Sequence, residues 1–288
     1  MQSICTTLWS TFLQTCAHLG LPFTIKEHTT LNEKLEIQAN ATLNQGEMPR
    51  LAILCIGNRG HRAVTGTDNF PLTVPVDHQA DHAALYGQIP FVLRDTNNDL
   101  TPDQRPKYAL RKTLNINNRN YYAYYGKRID MTDVVPKLQK TVVEDGQSTT
   151  TDYIPTTANL NPEWPDIPNT GAVSTSGAYL SASAVVSVNF TEFDVQELYN
   201  VAKIMYNDQN YAVISEFAFC TAVDRTVSVP TPSGNTNFKE AIACQVATFV
   251  GGHYELVYYS KGFDFKVELG ANEPLLGAEE ITTATLIQ

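Results

Sequence analysis

The chain has 288 residues, 43% hydrophobic and 17% charged, with a formal net charge of −10 from 20 basic and 30 acidic side chains. The apolar share is that of a folded protein, while the charged share falls below the usual ~25%; together they exclude a disordered chain, a long coiled coil and a solvated helical array. A negative overall field does not attract DNA or anionic lipid, so neither nucleic acid nor membrane is expected as a partner.

The N-terminal MQSICTTLWSTFLQTCAHLGLPF lacks a basic leader, and Thr, Ser and Gln interrupt its apolar residues. It reads neither as a secretory signal nor as a membrane span. Ile4, Leu8, Phe12, Cys16 and Leu19 recur at helical spacing, which predicts a helix over 3–19, capped by Ser3 and ended by Gly20 and Pro22. Residues 23–43 alternate weakly and predict a strand. The run RLAILCIG (50–57) predicts a short buried strand, followed by the Gly-punctuated loop GNRGHRAVTG.

Residues 70–100 show no clear period; a helical turn is expected at 81–86 and a strand at 89–94. Thr101, Pro102 and Gln104 form a helix-start signature that Pro106 keeps short. KTLNI and YYAYY, joined through NINNRN, predict a hairpin, and EDGQSTTTD a turn or exposed loop. The stretch 155–178 carries many prolines and small polar residues and reads as an extended connector. ASAVVSVNF then predicts a strand. DVQELYNVAKIMY predicts an amphipathic helix, with Asp194 capping, Glu197 at its third position and Val195, Leu198, Val201 and Met205 on its buried face. The remainder is strand-rich. The fold class expected is α+β: strand-rich sheets, sandwich or barrel-like, with an N-terminal helix and one amphipathic helix in the last third. The expected division is an N-terminal domain over 1–154, a linker or arm over 155–178, and a β-rich domain over 179–288.

Chemistry is sparse. The five cysteines are odd in number and widely spaced, without a CxxC, which points to reduced, buried thiols and cytoplasmic assembly. In D-H-x-x-D-H (77–82), His78 and His82 lie four apart, a spacing that on a helix can bind a metal. HExxH is absent and no obvious third ligand follows. Asp95, Asn97 and Asp99 match the first liganding positions of a calcium loop, but Leu100 and Pro106 stand where Gly and Glu are required. The loop Gly57–Arg62 could cradle an anion, yet carries neither GxxxxGK nor GxGxxG. No catalytic residue, cofactor or metal is therefore expected. Tyr121, Tyr122, Tyr124 and Tyr125 suit sheet packing or a protein contact more than base stacking. The residues expected to touch partners are Leu8, Trp9, Phe12, Tyr122, Tyr124 and Trp164.

The block running from HAALYGQIPFVLRDTNNDLTPDQRPKYALRK through NYYAYYGKRIDMTDVV to ANLNPEWP, about residues 75–170, resembles tailed-bacteriophage virion structural proteins. The resemblance implies a non-enzymatic subunit of a symmetric assembly, tail-associated at baseplate, neck or sheath end. It would assemble in the host cytoplasm and contact copies of itself and other virion proteins. A receptor- or glycan-binding module is the first alternative, and a metal-dependent hydrolase using His78 and His82 the second.

Overall fold

The computed structural model describes residues 3–66, 71–144, 146–161, 177–231, 234–256 and 261–275. In chain order it places β1 (Ser3–Thr6), α1 (Leu8–Leu19), α2 (Leu31–Leu35), β2 (Arg50–Gly57), β3 (His61–Thr65), β4 (Pro71–Pro75), β5 (Gln88–Ile89), β6 (Val92–Asp95), β7 (Tyr108–Ile116) and β8 (Arg119–Arg128). There follow β9 (Lys137–Glu144), β10 (Gln147–Asp152), α3 (Thr157–Leu160), β11 (Gly177–Phe190), α4 (Glu192–Tyr206), β12 (Val213–Thr231), β13 (Gly234–Leu256) and β14 (Phe263–Leu275). Strands dominate and pair antiparallel, which is the α+β class expected; no sheet closes into a barrel among the described residues.

The chain forms two compact units interleaved in sequence: Met1–Asp130 with Val188–Asp264, and Met131–Ser187 with Phe265–Gln288. The expected end-to-end division at 155–178 differs from this, because β11 and β14 each run through a unit boundary instead of stopping at one. Residues 162–176 of the predicted connector, Trp164 among them, lie outside the described residues.

In the first unit, an eight-stranded sheet follows the order β1-β13-β12-β2-β8-β6, with β5 paired to β2 and β7 to β8. Ile53, Leu54, Cys55 and Ile56 are all fully buried, as are Ala218, Phe219 and Cys220 opposite them. Neighbouring residues of a strand face opposite ways, so both faces of these central strands are covered, and this is why RLAILCIG shows a continuous apolar run. The β7–β8 hairpin turns on Asn117 and Asn118, both at positive φ (49° and 62°), the conformation that a two-residue type I′ turn demands and that Asn tolerates.

Several local expectations change. Ser3–Thr6 do not begin the helix; they pair with Thr248–Gly251 as an edge strand. Thr7 caps α1 by accepting from Ser10 N at 3.2 Å while donating to Val246 O at 2.6 Å. The buried helix positions are Ser10, Leu13 and Cys16, whereas Ile4, Leu8 and Leu19 are exposed. Of the predicted stripe, Cys16 is buried and Phe12 packs against its cluster, while Ile4 lies outside the helix and Leu8 and Leu19 point outward. No strand spans 23–43: Thr30 and Glu33 form a complete capping box, and this local start signal outweighs a weak alternation. The segment 81–86 holds turns and no helix, and Thr101–Gln104 leads only into a 3-10 turn at Arg105–Lys107. The cap of α4 is Thr191 with Asp194 at the third position, one turn earlier than expected.

Between β12 and β13 the register shifts twice near Cys220–Val223, and Ala243 adopts φ 54°. Asn32, 2% exposed, secures this irregularity. Its amide nitrogen donates to Ala241 O and Ile37 O, both at 2.9 Å, and its oxygen accepts from Cys244 N at 2.8 Å. The bulged backbone would otherwise hold buried groups without partners. Asn32→Ala removes all three bonds and is expected to cost about 2–3 kcal/mol, measurable as a lower urea midpoint at unchanged slope.

In the second unit, a four-stranded sheet has the order β10-β9-β11-β14. Among its described residues only Thr141, Ser181, Ser183, Val186 and Val267 are buried, and just two of these are apolar. Thr141 and Thr150 share a hydroxyl bond at 2.9 Å across β9–β10, and the Ser183 hydroxyl donates to Glu268. The buried alternation of β11 switches from odd to even positions between Ser183 and Val186.

Candidate functional site

The GNRGHR loop and the D-H-x-x-D-H segment, separate in sequence, meet at one side chain on β12. Glu216 is fully buried, and its carboxylate accepts from His78 Nε2 at 3.0 Å, Tyr86 N at 3.0 Å, Gly87 N at 2.8 Å and Arg59 N at 3.4 Å. A buried carboxylate persists only when its lone pairs are met, and here two loops supply the donors. The neighbouring Ser215 Oγ accepts from Gly60 N at 3.0 Å, and Asn58 N donates to Gly87 O at 3.0 Å. A Cβ on Gly57 would lie 2.3 Å from Glu216 Oε1, and one on Gly60 2.8 Å from Ser215 O. Only glycine lets this loop close over the strand.

His78 is 7% exposed and sandwiched between two rings. Phe249 lies parallel at 3.8 Å, and Tyr86 stacks at 4.5 Å. Its Nδ1 meets His82 Nδ1 at 3.2 Å. The Nε2 proton points at the carboxylate, and the shared Nδ1 contact needs one donor and one acceptor ring. The two histidines thus come together without a helix, each facing the other through the nitrogen a shared metal would need. Among the described residues no trio of His, Cys, Asp and Glu is arranged to hold a metal ion.

The other sequence motifs resolve into internal contacts. The loop amides of Arg59 and Gly60 point at Glu216 and Ser215, so they do not cradle an outside anion. Asp95 Oδ1 accepts from Asn97 N at 2.9 Å, and Asp99 accepts the Tyr124 hydroxyl at 2.6 Å with Arg105 and Arg111 each 3.7 Å away. An Asx turn and a buried ion cluster account for the calcium-like spacing. Cys16, Cys55, Cys220 and Cys244 are buried, and Cys5 is half-buried. Burial, with Cys244 and Cys55 alongside, pushes the Cys220 thiol well up from its ordinary value. Thiolate is the reactive form. At most one thiol, Cys5, should therefore react with a disulfide reagent in the native protein, and five once it is unfolded in guanidinium.

The expected contact residues part ways. Leu8 is exposed. Trp9 Nε1 donates to His82 O at 3.1 Å, tying α1 to the histidine segment. Phe12 packs on Phe23 with ring centres 5.7 Å apart. The Arg111 guanidinium covers Tyr122 at 3.6 Å. Tyr124, 1% exposed, is core and presents no surface; β6 and β7 flank β8 on its two sides, so the aromatic strand is central instead of an edge.

One surface was missed. Residues paired across β9 and β11 share a face, so Leu138, Val142, Ala178, Leu180 and Ala182 lie together, around Lys140 opposite Leu180. All five are half-buried or exposed, Leu138 at 50%. The alternation in KLQKTVV and AYLSAS could have suggested two paired strands, but not that the apolar side would be the open one.

These features define a strand-dominated α+β protein organised around a buried histidine–carboxylate node. The chain belongs to the family described as "Family of unknown function (DUF7208)", whose model matches residues 1–284. No curated protein and no solved structure matches the chain. Among the described residues no helix is long and apolar enough to cross a membrane.

Proposed function

We propose that the chain is a non-enzymatic structural subunit of a tailed-phage virion, tail-associated at baseplate, neck or sheath end. It acts through interfaces with copies of itself and with other virion proteins. The observation that carries this reading is the largely apolar face of the four-stranded sheet, where Leu138 is exposed and Val142 and Leu180 are half-buried while Thr141, Ser181 and Ser183 are buried. A largely apolar patch, interrupted by Lys140 opposite Leu180, is a surface suited to packing against a neighbour whose groups can meet one charge. Val135, Ile154 and Leu160 of the same unit are more than 60% exposed and extend the apolar character. The all-exposed edge strand β10, without lysine or proline, supports the reading as well, since unguarded edges favour pairing with another chain.

The test is peptide mass spectrometry of purified particles with heads and tails separated, repeated with a Leu138→Asp/Leu180→Asp variant supplied in place of the natural subunit. Enrichment in tails, and loss of the variant from particles although it folds by circular dichroism, is the expected result. Enrichment in heads would overturn the tail position, and absence of the natural chain from particles would overturn the structural role.

A further inference from the structure

We propose that the first unit carries a binding site for a neutral saccharide in the cleft between the β2–β3 loop and the end of α4. The cleft encloses about 760 Å³, within the roughly 300–1,000 Å³ of small-molecule sites. Its walls come from Asn58, Arg59 and His61 on the loop, Tyr206 at the last helical turn, and the segment Asp208–Tyr211 that leads into β12.

The walls are held in place before any ligand arrives. The loop is pinned from below by Glu216 and Ser215, as described above. Asn58 is 9% exposed, and its amide nitrogen donates to the Tyr206 hydroxyl at 3.2 Å. The Tyr206 and Tyr211 rings lie 4.9 Å apart at a 33° tilt, and Tyr211 is 53% exposed. Asp208 Oδ1 accepts from Asn210 N at 2.9 Å and fixes the turn that presents Tyr211. Little conformational freedom is left to lose on binding.

The chemistry selects the ligand class. Among the described lining residues one arginine and one aspartate balance each other, and burial lowers the His61 pKa, which favours its neutral form. An anion would meet Asp208 and a cation Arg59, so neither sign is favoured. Among the described residues Val213 is the sole aliphatic one lining the cleft, which leaves little there to receive a hydrocarbon tail. Two phenol rings offer flat apolar faces with polar tips, and the asparagines, Asp208 and His61 offer donors and acceptors at several angles. A sugar ring, apolar on its C–H face and hydroxylated around its rim, matches both sets.

Saturation-transfer NMR on the full chain with glucose, galactose, mannose and N-acetylglucosamine tests the site. At least one sugar should receive saturation, and Tyr211→Ala and Arg59→Ala should each weaken it at least tenfold without moving the thermal midpoint. No transfer to any of the four sugars would overturn the proposal. So would binding unchanged in both variants, which would place the sugar elsewhere, or displacement of the sugar by inorganic phosphate, which would make the cleft an anion site.

Discussion

Glu216→Ala is expected to lower the unfolding free energy by about 4 kcal/mol, a large share of the roughly 5–15 kcal/mol that holds a domain folded. The substitution leaves the His78 Nε2 and the amides of Tyr86 and Gly87 facing a hole in the interior. It also releases the 57–60 loop from β12. Glu216→Gln keeps the volume and one acceptor oxygen but turns two N–H groups toward donors, so its cost should be smaller, about 2–3 kcal/mol. Gly57→Ala attacks the same contact from the loop side, since its Cβ would overlap the carboxylate. Urea unfolding followed by tryptophan fluorescence reads all three, because Trp9 is bonded to His82 at the edge of the node. A Glu216→Ala variant as stable as the natural chain would show that the two loops are held without the carboxylate.

Lys127→Met should cost about 3 kcal/mol and change the acid stability profile. Asp194, 3% exposed, receives the Lys127 ammonium at 2.7 Å, the Tyr108 hydroxyl at 3.1 Å, and both the Thr191 amide (2.8 Å) and hydroxyl (2.7 Å). Burial pushes the Asp194 carboxyl up, but the Lys127 charge and the bonds from Lys127 and Thr191 outweigh it and hold the group below its ordinary value. A carboxylate depressed in the folded state contributes stability above its unfolded pKa and loses it as pH falls through the folded one. The natural chain should therefore lose stability below about pH 4, and Lys127→Met should flatten that loss. Glu197, one turn along α4, acts with the opposite sign: burial raises its pKa despite Arg94 Nη2 at 2.5 Å, so mild acidification relieves part of its cost. Comparing thermal midpoints at pH 7 and pH 4 for Lys127→Met, Asp194→Asn and the natural chain separates the two carboxylates. An unchanged acid profile in Asp194→Asn would show that Asp194 does not set it.

Turns are written in adjacent residues and were legible, whereas the helix starts at Thr7 and Thr191 fall a few residues from the expected Ser3 and Asp194. The weak alternation over 23–43 hid the Thr30/Glu33 helix start, whereas the Asn117–Asn118 turn and the buried run of β2 stand in the structure where the sequence places them. A side chain four residues from another can be seen to share a neighbourhood, so His78 and His82 were paired correctly. Their third partner, Glu216, lies 138 positions from His78, and no local signal marks it. Nothing in the strand YAVISEF distinguishes its glutamate from a solvent-facing one until β12 is placed at the centre of a sheet.

The same reasoning separates the aromatic strand from its expected role. Tyr122 and Tyr124 stand two apart on β8 and so share a face, and only pairing with both β6 and β7 decides that Tyr124 is core and that Arg111 covers Tyr122. By itself the sequence determined the class of the protein: strand-dominated, α+β, low in charge, with two helices long enough to carry amphipathic faces. The tertiary structure alone decided which face of each strand is buried, because alternation sorts side chains into two sets without saying which set meets the core. It also decided that two sequence-distant loops close on one carboxylate, and that the largely apolar set of the β9–β11 pair lies half-open.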